Sequence, residues 1–301
     1  MTAVTVPPSR TSSSLLAWYF VITWGSGYLA TKLGLQYAPP FTFLTLRFAF
    51  GLLLVVPIAL AVRPQWPDSP SGWFHVAIAG VLMHAVNLGG SHYAQYLGMS
   101  AGIAALVLAL QPLVTAMVAA PLLGERLGRP QWIGVALGLI GVALVVWHKI
   151  DLNALTGGAL FAVAIALAAI TAGTLYQRIH CPAVDLRAAS VVQFVASFVV
   201  LAPLAVWVED FHYVPAWPMF GAIAFLVIFA SILAVNALHT LMRRGEATRV
   251  TSLLYLTPII AVALEWALFS VRPTLLTTIG IAVTCAGVAM VAWRPARSGA
   301  S

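Results

Sequence analysis

Apolar residues run in ten stretches of roughly 20 along this chain, and a run of that length can cross the hydrocarbon core of a bilayer as a helix. The stretches cover about 15–34, 41–62, 73–96, 102–123, 131–148, 157–177, 187–208, 217–242, 250–270 and 274–293. Residues that start or stop helices separate them: Pro39 and Pro40 before the second, Pro64 and Pro67 after it, Gly128 and Pro130 before the fifth, Pro273 before the tenth. No connection is long enough to be a domain. The pattern predicts an all-α integral membrane protein of ten transmembrane helices.

The pattern also repeats. Shifting the sequence by 146 positions lays 101–147 on 247–293 with 14 identities in 47 ungapped pairs, including Leu108 on Leu254, Pro112 on Pro258, Gly134 on Gly280, Gly141 on Gly287 and Trp147 on Trp293. The same offset sets Gly27 on Gly173, Lys32 on Arg178, Phe48 on Phe194 and Pro57 on Pro203. A chain built this way is two copies of one unit. Each copy holds five spans, an odd number, so the second enters the membrane upside down relative to the first. The expected layout is an N-terminal tail at 1–14, a first five-helix repeat at 15–148, a second, inverted five-helix repeat at 157–293 and a tail at 294–301. Inverted repeats mark secondary transporters, whose substrate site lies near the midplane where the repeats meet.

Composition narrows the picture. Of 301 residues 61% are hydrophobic and 8% charged, against about a quarter charged in soluble globular domains. The net charge of +7 does not indicate nucleic acid, because the basic residues sit singly between apolar runs rather than in one patch. Alternate connections and tails carry eleven Arg (10, 63, 126, 129, 178, 187, 243, 244, 249, 294 and 297) on one side against Lys32, Lys149 and Arg272 on the other. Cytoplasmic loops retain the excess of Lys and Arg, so both termini are expected in the cytoplasm of a multi-pass protein of a bacterial inner membrane. The first apolar run continues into Trp24 and Lys32 with no small-residue cleavage site and reads as a retained span. Cys181 and Cys285 form no CxxC pair, so neither metal nor cofactor is expected.

Polar groups inside spans are expensive and point to pathways. On the third span His84, Asn87, Ser91 and Gln95 fall within an arc of about 80° at 100° per residue; Asn236, His239, Thr240 and Arg243 make a similar stripe on the eighth, its repeat partner. Trp24, Tyr28 and Thr31 align on the first span, Thr171, Thr174 and Arg178 on the sixth. Ser252, Tyr255 and Thr257 surround the ninth-span proline, matched on the fourth by Gln111. Helices 1, 3, 4, 6, 8 and 9 are therefore expected to line a central cavity, although interhelical hydrogen bonding explains any single Ser or Thr equally well. Pro112 and Pro258 remove a helix hydrogen bond and free the carbonyls of Leu108 and Leu254, as static kinks or as hinges for alternating access. Arg47 and Glu265 are the charged residues well inside spans, at a shared depth, which suggests a pair; snorkelling of Arg47 to the headgroups is the alternative. Gly134, Gly138 and Gly141 on the fifth span and Gly280 and Gly287 on the tenth allow close helix approach, as scaffold or homodimer contacts.

Three segments carry a resemblance. FLTLRFAFG in the second span, the fourth-span proline followed by GERLGRPQWIGVALGLIGV, and TSLLYLTPIIAVALEW in the second copy resemble the EamA family of the drug/metabolite transporter superfamily over essentially the whole chain. The resemblance implies a ten-helix inverted-repeat bundle with cytoplasmic termini that exports amino acids and other metabolites, similar to YddG-type exporters. By position it places a central substrate cavity on Trp24, Tyr28, His84, Asn87, Gln111, Asn236, His239, Ser252 and Tyr255. One departure matters. The four-helix multidrug relatives carry a carboxylate in the first span, where this chain reads WGSGYLATKLG, which argues against proton-coupled efflux of organic cations and for a zwitterionic or neutral substrate.

The leading expectation is thus export of amino acids, aromatic ones included, or similar small metabolites by alternating access. Sugars, nucleotide sugars or drugs are the alternative cargo, and a passive channel or an intramembrane enzyme the remote one. The enzyme reading lacks support in the sequence, which has no HExxH, paired carboxylates or Ser–His–Asp arrangement. The expected partners are a small-molecule substrate and the lipid bilayer.

Overall fold

The computed structural model describes residues 10–124, 127–151, 156–234, 237, 240–241 and 256–292, and among them there is no strand. The helices are α1 (Arg10–Gly34), α2 (Pro40–Val62), α3 (Pro70–Gly80), a π-helical segment π1 (Val81–Val86), α4 (Asn87–Tyr96), α5 (Ala101–Leu108), α6 (Gln111–Leu123), α7 (Arg129–Asp151), α8 (Gly157–His180), α9 (Leu186–Glu209), α10 (Trp217–Ala224), a second π segment π2 (Phe225–Leu233), α11 (Thr257–Phe269) and α12 (Leu275–Ala292). Among the described residues six stretches are long and apolar enough to cross a membrane: Pro40–Val62, Pro70–Tyr96, Ala101–Leu123, Arg129–Trp147, Gly157–His180 and Leu186–Glu209. Three shorter apolar helices follow, Trp217–Leu233, Thr257–Phe269 and Leu275–Val291. The first helix begins at Arg10, earlier than the apolar run that predicts it.

Local chemistry accounts for the helix ends. Side-chain oxygens of Ser69, Ser100, Thr156 and Asp185 accept from the backbone N–H of Gly72, Ile103, Ala159 and Arg187, satisfying donors that a first turn leaves free. Proline stands in the first turn of α2, α3, α6, α10 and α11, where its missing N–H costs nothing. Pro112 therefore opens α6 after a two-residue break at Ala109 and Leu110 rather than kinking a continuous helix. Pro258 holds the same place at the start of α11. The two π segments also correspond, since the 146-residue offset carries Val81 and Val86 onto Val227 and Ile232.

Two antiparallel pairs organise the packing. α2 and α9 run side by side, with Phe48 edge-on to Phe194 at 5.2 Å near their middles. The carboxylate of Glu209, the last residue of α9, caps the start of α2: it accepts from Phe41 N at 3.0 Å, Thr42 N at 2.7 Å and Thr42 Oγ1 at 2.8 Å. At the other end Asp185 accepts from Gln65 N at 3.4 Å. Glu209→Ala should lower stability by about 2 kcal/mol, read as a reduced Tm in detergent, because it strands the first donors of α2; an unchanged Tm would mean that something else holds that end.

The second pair is α7 with α12, which cross through glycine. A Cβ on Gly134 would lie 2.6 Å from the Gly287 carbonyl oxygen, and one on Gly287 2.5 Å from that of Gly134. Gly141 and Gly280 oppose each other in the same reciprocal way, at 2.6 and 2.7 Å. These faces are thus buried within one chain as scaffold and supply no argument for a homodimer. Beside the pair lies the largest apolar core, with Ala94, Leu106, Leu113, Val145, Val163 and Val288. Large apolar side chains cover the periphery as well as the interior, among them Leu53, Leu60, Phe161, Trp207, Trp217, Leu268 and Leu275, as expected where the surrounding solvent is hydrocarbon.

Candidate functional site

The two π segments and the helices facing them hold the buried polar groups. An i→i+5 turn takes up one residue more than an α turn, so π1 re-aims the side chains on either side of it. His84, within π1, points at α9: its Nε2–H donates to Gln193 Oε1 at 3.2 Å, and its ring sits between Phe48 and Phe194, with centroids at 6.1 and 5.5 Å. Gln193 Nε2 in turn donates to Gln177 Oε1 at 3.2 Å. Past the π turn, His92 faces α1 and α2, with Nε2 3.4 Å from Thr31 Oγ1 and its ring 6.0 Å from Phe43.

Arg47 is held inside the bundle. Its guanidinium donates to Ser231 Oγ on π2 at 3.3 Å, and Ser231 donates to Leu226 O, five residues back, as the wide turn permits. The snorkelling alternative for Arg47 is therefore not what the structure shows. Nor does the structure bring Arg47 and Glu265 together. Glu265, 2% exposed, accepts from Lys32 Nζ at 2.6 Å and from the backbone N–H of Ala101 and Gly102 at 3.1 and 2.9 Å. Two free donors and the positive end of α5 draw the carboxylate there, and Lys32 also lies 4.7 Å above the Phe269 ring. This knot ties α1, α5 and α11 together at one end of the bundle.

A cleft of about 580 Å³ is lined by Met83, Thr174, Gln177, Arg178, Cys181 and Leu186, and burial raises the Cys181 thiol above its ordinary range. Gln111 Nε2 reaches the same face, donating to Thr174 Oγ1 at 3.1 Å. The polar line from Gln177 through Gln193 to His84 thus runs from this vestibule into the interior. A second cleft, of about 430 Å³ between α4, α8 and α9, is lined by Phe41, Gly89, Tyr93, Phe161, Val200 and Leu204 and offers a solute little to bind.

Several expected residues meet and several do not. His84 and Gln111 join the polar line. Asn87 donates to Met83 O on its own helix at 3.1 Å, leaving Oδ1 without a protein partner among the described residues; Gln95 Nε2 and Oε1, His92 Nδ1 and Thr171 Oγ1 are buried in the same condition. Tyr28 packs on the core of α4 and α5, whereas Trp24 rests its ring on Phe20 at 5.4 Å and stays 41% exposed. Asn236, His239, Ser252 and Tyr255 lie outside the described residues. Sequence reasoning missed Gln193, Gln177 and Ser231, and passed over His92. A signal for one of them was present: the 146-residue offset carries Arg47 onto Gln193.

Comparison with known proteins identifies the family of the chain. The model of the EamA-like transporter family matches residues 11–147 and again 156–293, so the chain belongs to that family. The inner membrane transporter YedA of Escherichia coli K12, itself uncharacterized, is 31% identical over 258 residues, which is 83% of this chain and 80% of YedA. A transporter of Bacillus subtilis, YvbV, is 27% identical over 84% of this chain and 82% of its own. A probable amino-acid metabolite efflux pump of Escherichia coli K12 is 32% identical over 142 residues, 46% of this chain and 44% of the pump. A crystal structure of another protein superposes with a TM-score of 0.63 at 21% identity, covering 94% of this chain and 98% of the other, and shares the fold. The protein is a multi-pass membrane transporter of small molecules.

Proposed function

We propose that the protein is a secondary transporter that exports amino acids, aromatic ones included, or similar small metabolites across the bacterial inner membrane by alternating access. In this reading ten spans form two inverted repeats, 15–148 and 157–293, with short tails at 1–14 and 294–301. The twofold match of the family model and the reciprocal, antiparallel glycine crossing of α7 and α12 support that layout. The excess of Arg supports cytoplasmic termini, which puts the vestibule beside Arg178 on the cytoplasmic side.

One observation carries the functional reading: a line of buried polar side chains leads inward from a cleft. From the cleft it passes Gln177, Gln193 and His84, while Lys32 and Glu265 join α1, α5 and α11 elsewhere in the bundle. A polar route into the interior of the bundle suits a secondary transporter, whose substrate site lies near the midplane. The partial likeness to a probable amino-acid metabolite efflux pump favours amino acids as cargo.

The test is uptake of radiolabelled phenylalanine, tryptophan and threonine into liposomes holding the purified protein, with sugars and nucleosides as a second panel. Accumulation above empty liposomes is expected for amino acids, and His84→Ala, which cuts the polar line, should reduce it roughly tenfold or more. Flux confined to the second panel would keep the transporter and reject the amino-acid cargo.

A further inference from the structure

We propose that Arg47 is the anion-binding residue of this cavity and that the transported solutes carry a carboxylate. The inference rests on the transport reading above.

Placement comes first. Arg47 stands on α2 between Phe43, whose ring neighbours His92, and Phe48, whose ring neighbours His84. Both imidazoles lie within coulombic reach of the guanidinium. The group therefore sits inside the polar cluster, with Ser231 using part of its five-donor capacity.

Charge comes second. The chain has eight Asp and Glu, and among the described residues the one ion pair joins Lys32 to Glu265, not Arg47 to a carboxylate. Glu265 is taken by Lys32 and the α5 N–H groups, Glu209 by the start of α2, and Asp185 by Arg187 N and Gln65 N. Asp68, Glu125, Asp151, Asp210 and Glu246 lie at or beyond the ends of the spans. A guanidinium inside a bilayer without a countercharge is costly to keep. An arriving anion supplies one, and the planar fork of Arg suits a carboxylate.

The fold does not demand this charge. Gln193, at the equivalent position of the second repeat, stands next to the same Phe48–Phe194 contact and is neutral. The cation is thus a property of one half and of what that half binds. On α4, Asn87 Oδ1 and the side-chain amide of Gln95 are buried polar atoms without protein partners among the described residues, candidates to meet the rest of an amino acid.

The experiment uses the full-length protein, wild type and Arg47→Gln, the residue the other repeat carries. Thermal shift in detergent is read with phenylalanine, threonine, glutamate, pyruvate and acetate, with phenylalaninamide and phenethylamine as partners lacking the carboxylate, and with chloride against gluconate. Competition for amino-acid uptake in liposomes is read with the same compounds. The expected result is stabilisation and competition by carboxylates over the amide and amine, and a loss of that preference by roughly tenfold to a hundredfold in a folded Arg47→Gln, with Arg47→Lys in between. Four results overturn the proposal: amide and acid acting alike on wild type, the preference surviving in Arg47→Gln, no carboxylate acting at all, or chloride giving the whole effect, which would make Arg47 the seat of an inorganic ion. If no compound is transported, the transport reading fails, and the thermal-shift comparison still decides whether Arg47 binds carboxylates.

Discussion

Replacing Glu265 with glutamine should destabilise the protein by about 3 kcal/mol, a fall in Tm of roughly 5 °C in detergent. The carboxylate serves three donors at once, Lys32 Nζ and the N–H groups of Ala101 and Gly102. Glutamine has one acceptor oxygen, and its NH2 turns toward donors that cannot accept. The expected size lies at the lower end for a broken buried pair because Lys32 is 27% exposed and water can reach it. Adding Lys32→Met should return part of the loss, since the remaining amide can then serve the α5 N–H groups without a stranded ammonium beside it. The double-mutant cycle isolates the charge interaction. A Glu265→Gln protein that melts with the wild type would show that the knot contributes nothing to the folded state.

The second large effect is expected at Gly287. An alanine there places its Cβ 2.5 Å from both the Gly134 carbonyl oxygen and the Gly138 nitrogen. These are backbone atoms of the facing helix, so no side chain can rotate away and α7 must move as a body. Overpacking of this kind costs about 1–3 kcal/mol, and backbone against backbone puts Gly287→Ala near the top of that range. Gly134→Ala should behave alike, for the reciprocal reason. Gly221→Ala is the control: on α10 nothing lies within 4 Å of the added Cβ, so it should be neutral. Yield of monodisperse protein on size-exclusion chromatography in detergent, with Tm, reads all three. Equal behaviour of Gly287→Ala and Gly221→Ala would show that the crossing tolerates separation.

The apolar runs, their proline boundaries and the 146-residue offset made the helices legible, because in lipid a helix needs only length and apolarity to be recognised. The glycines of α7 and α12 were legible as close-approach sites, though not whether their partner lay within the chain. The interior was harder to read. A stripe drawn at 100° per residue put His84 and Gln95 on one face, but the π turn at Val81–Val86 separates them in angle, and no proline or glycine inside the segment announces it. That is why His84 meets Gln193 and His92 meets Thr31. Pairing Arg47 with Glu265 followed from depth alone. Depth says nothing of azimuth, and Lys32, counted as a marker of topology, was also the cation within reach.

The edge-to-face contact of Phe48 with Phe194 lies near the middle of two helices that run in opposite directions. A touching point at mid-length is a fulcrum: any tilt of α2 against α9 that widens the gap at one end narrows it at the other. With His84 resting on both rings, the polar line that continues to Gln193 and Gln177 starts at that fulcrum, where a tilt displaces it least.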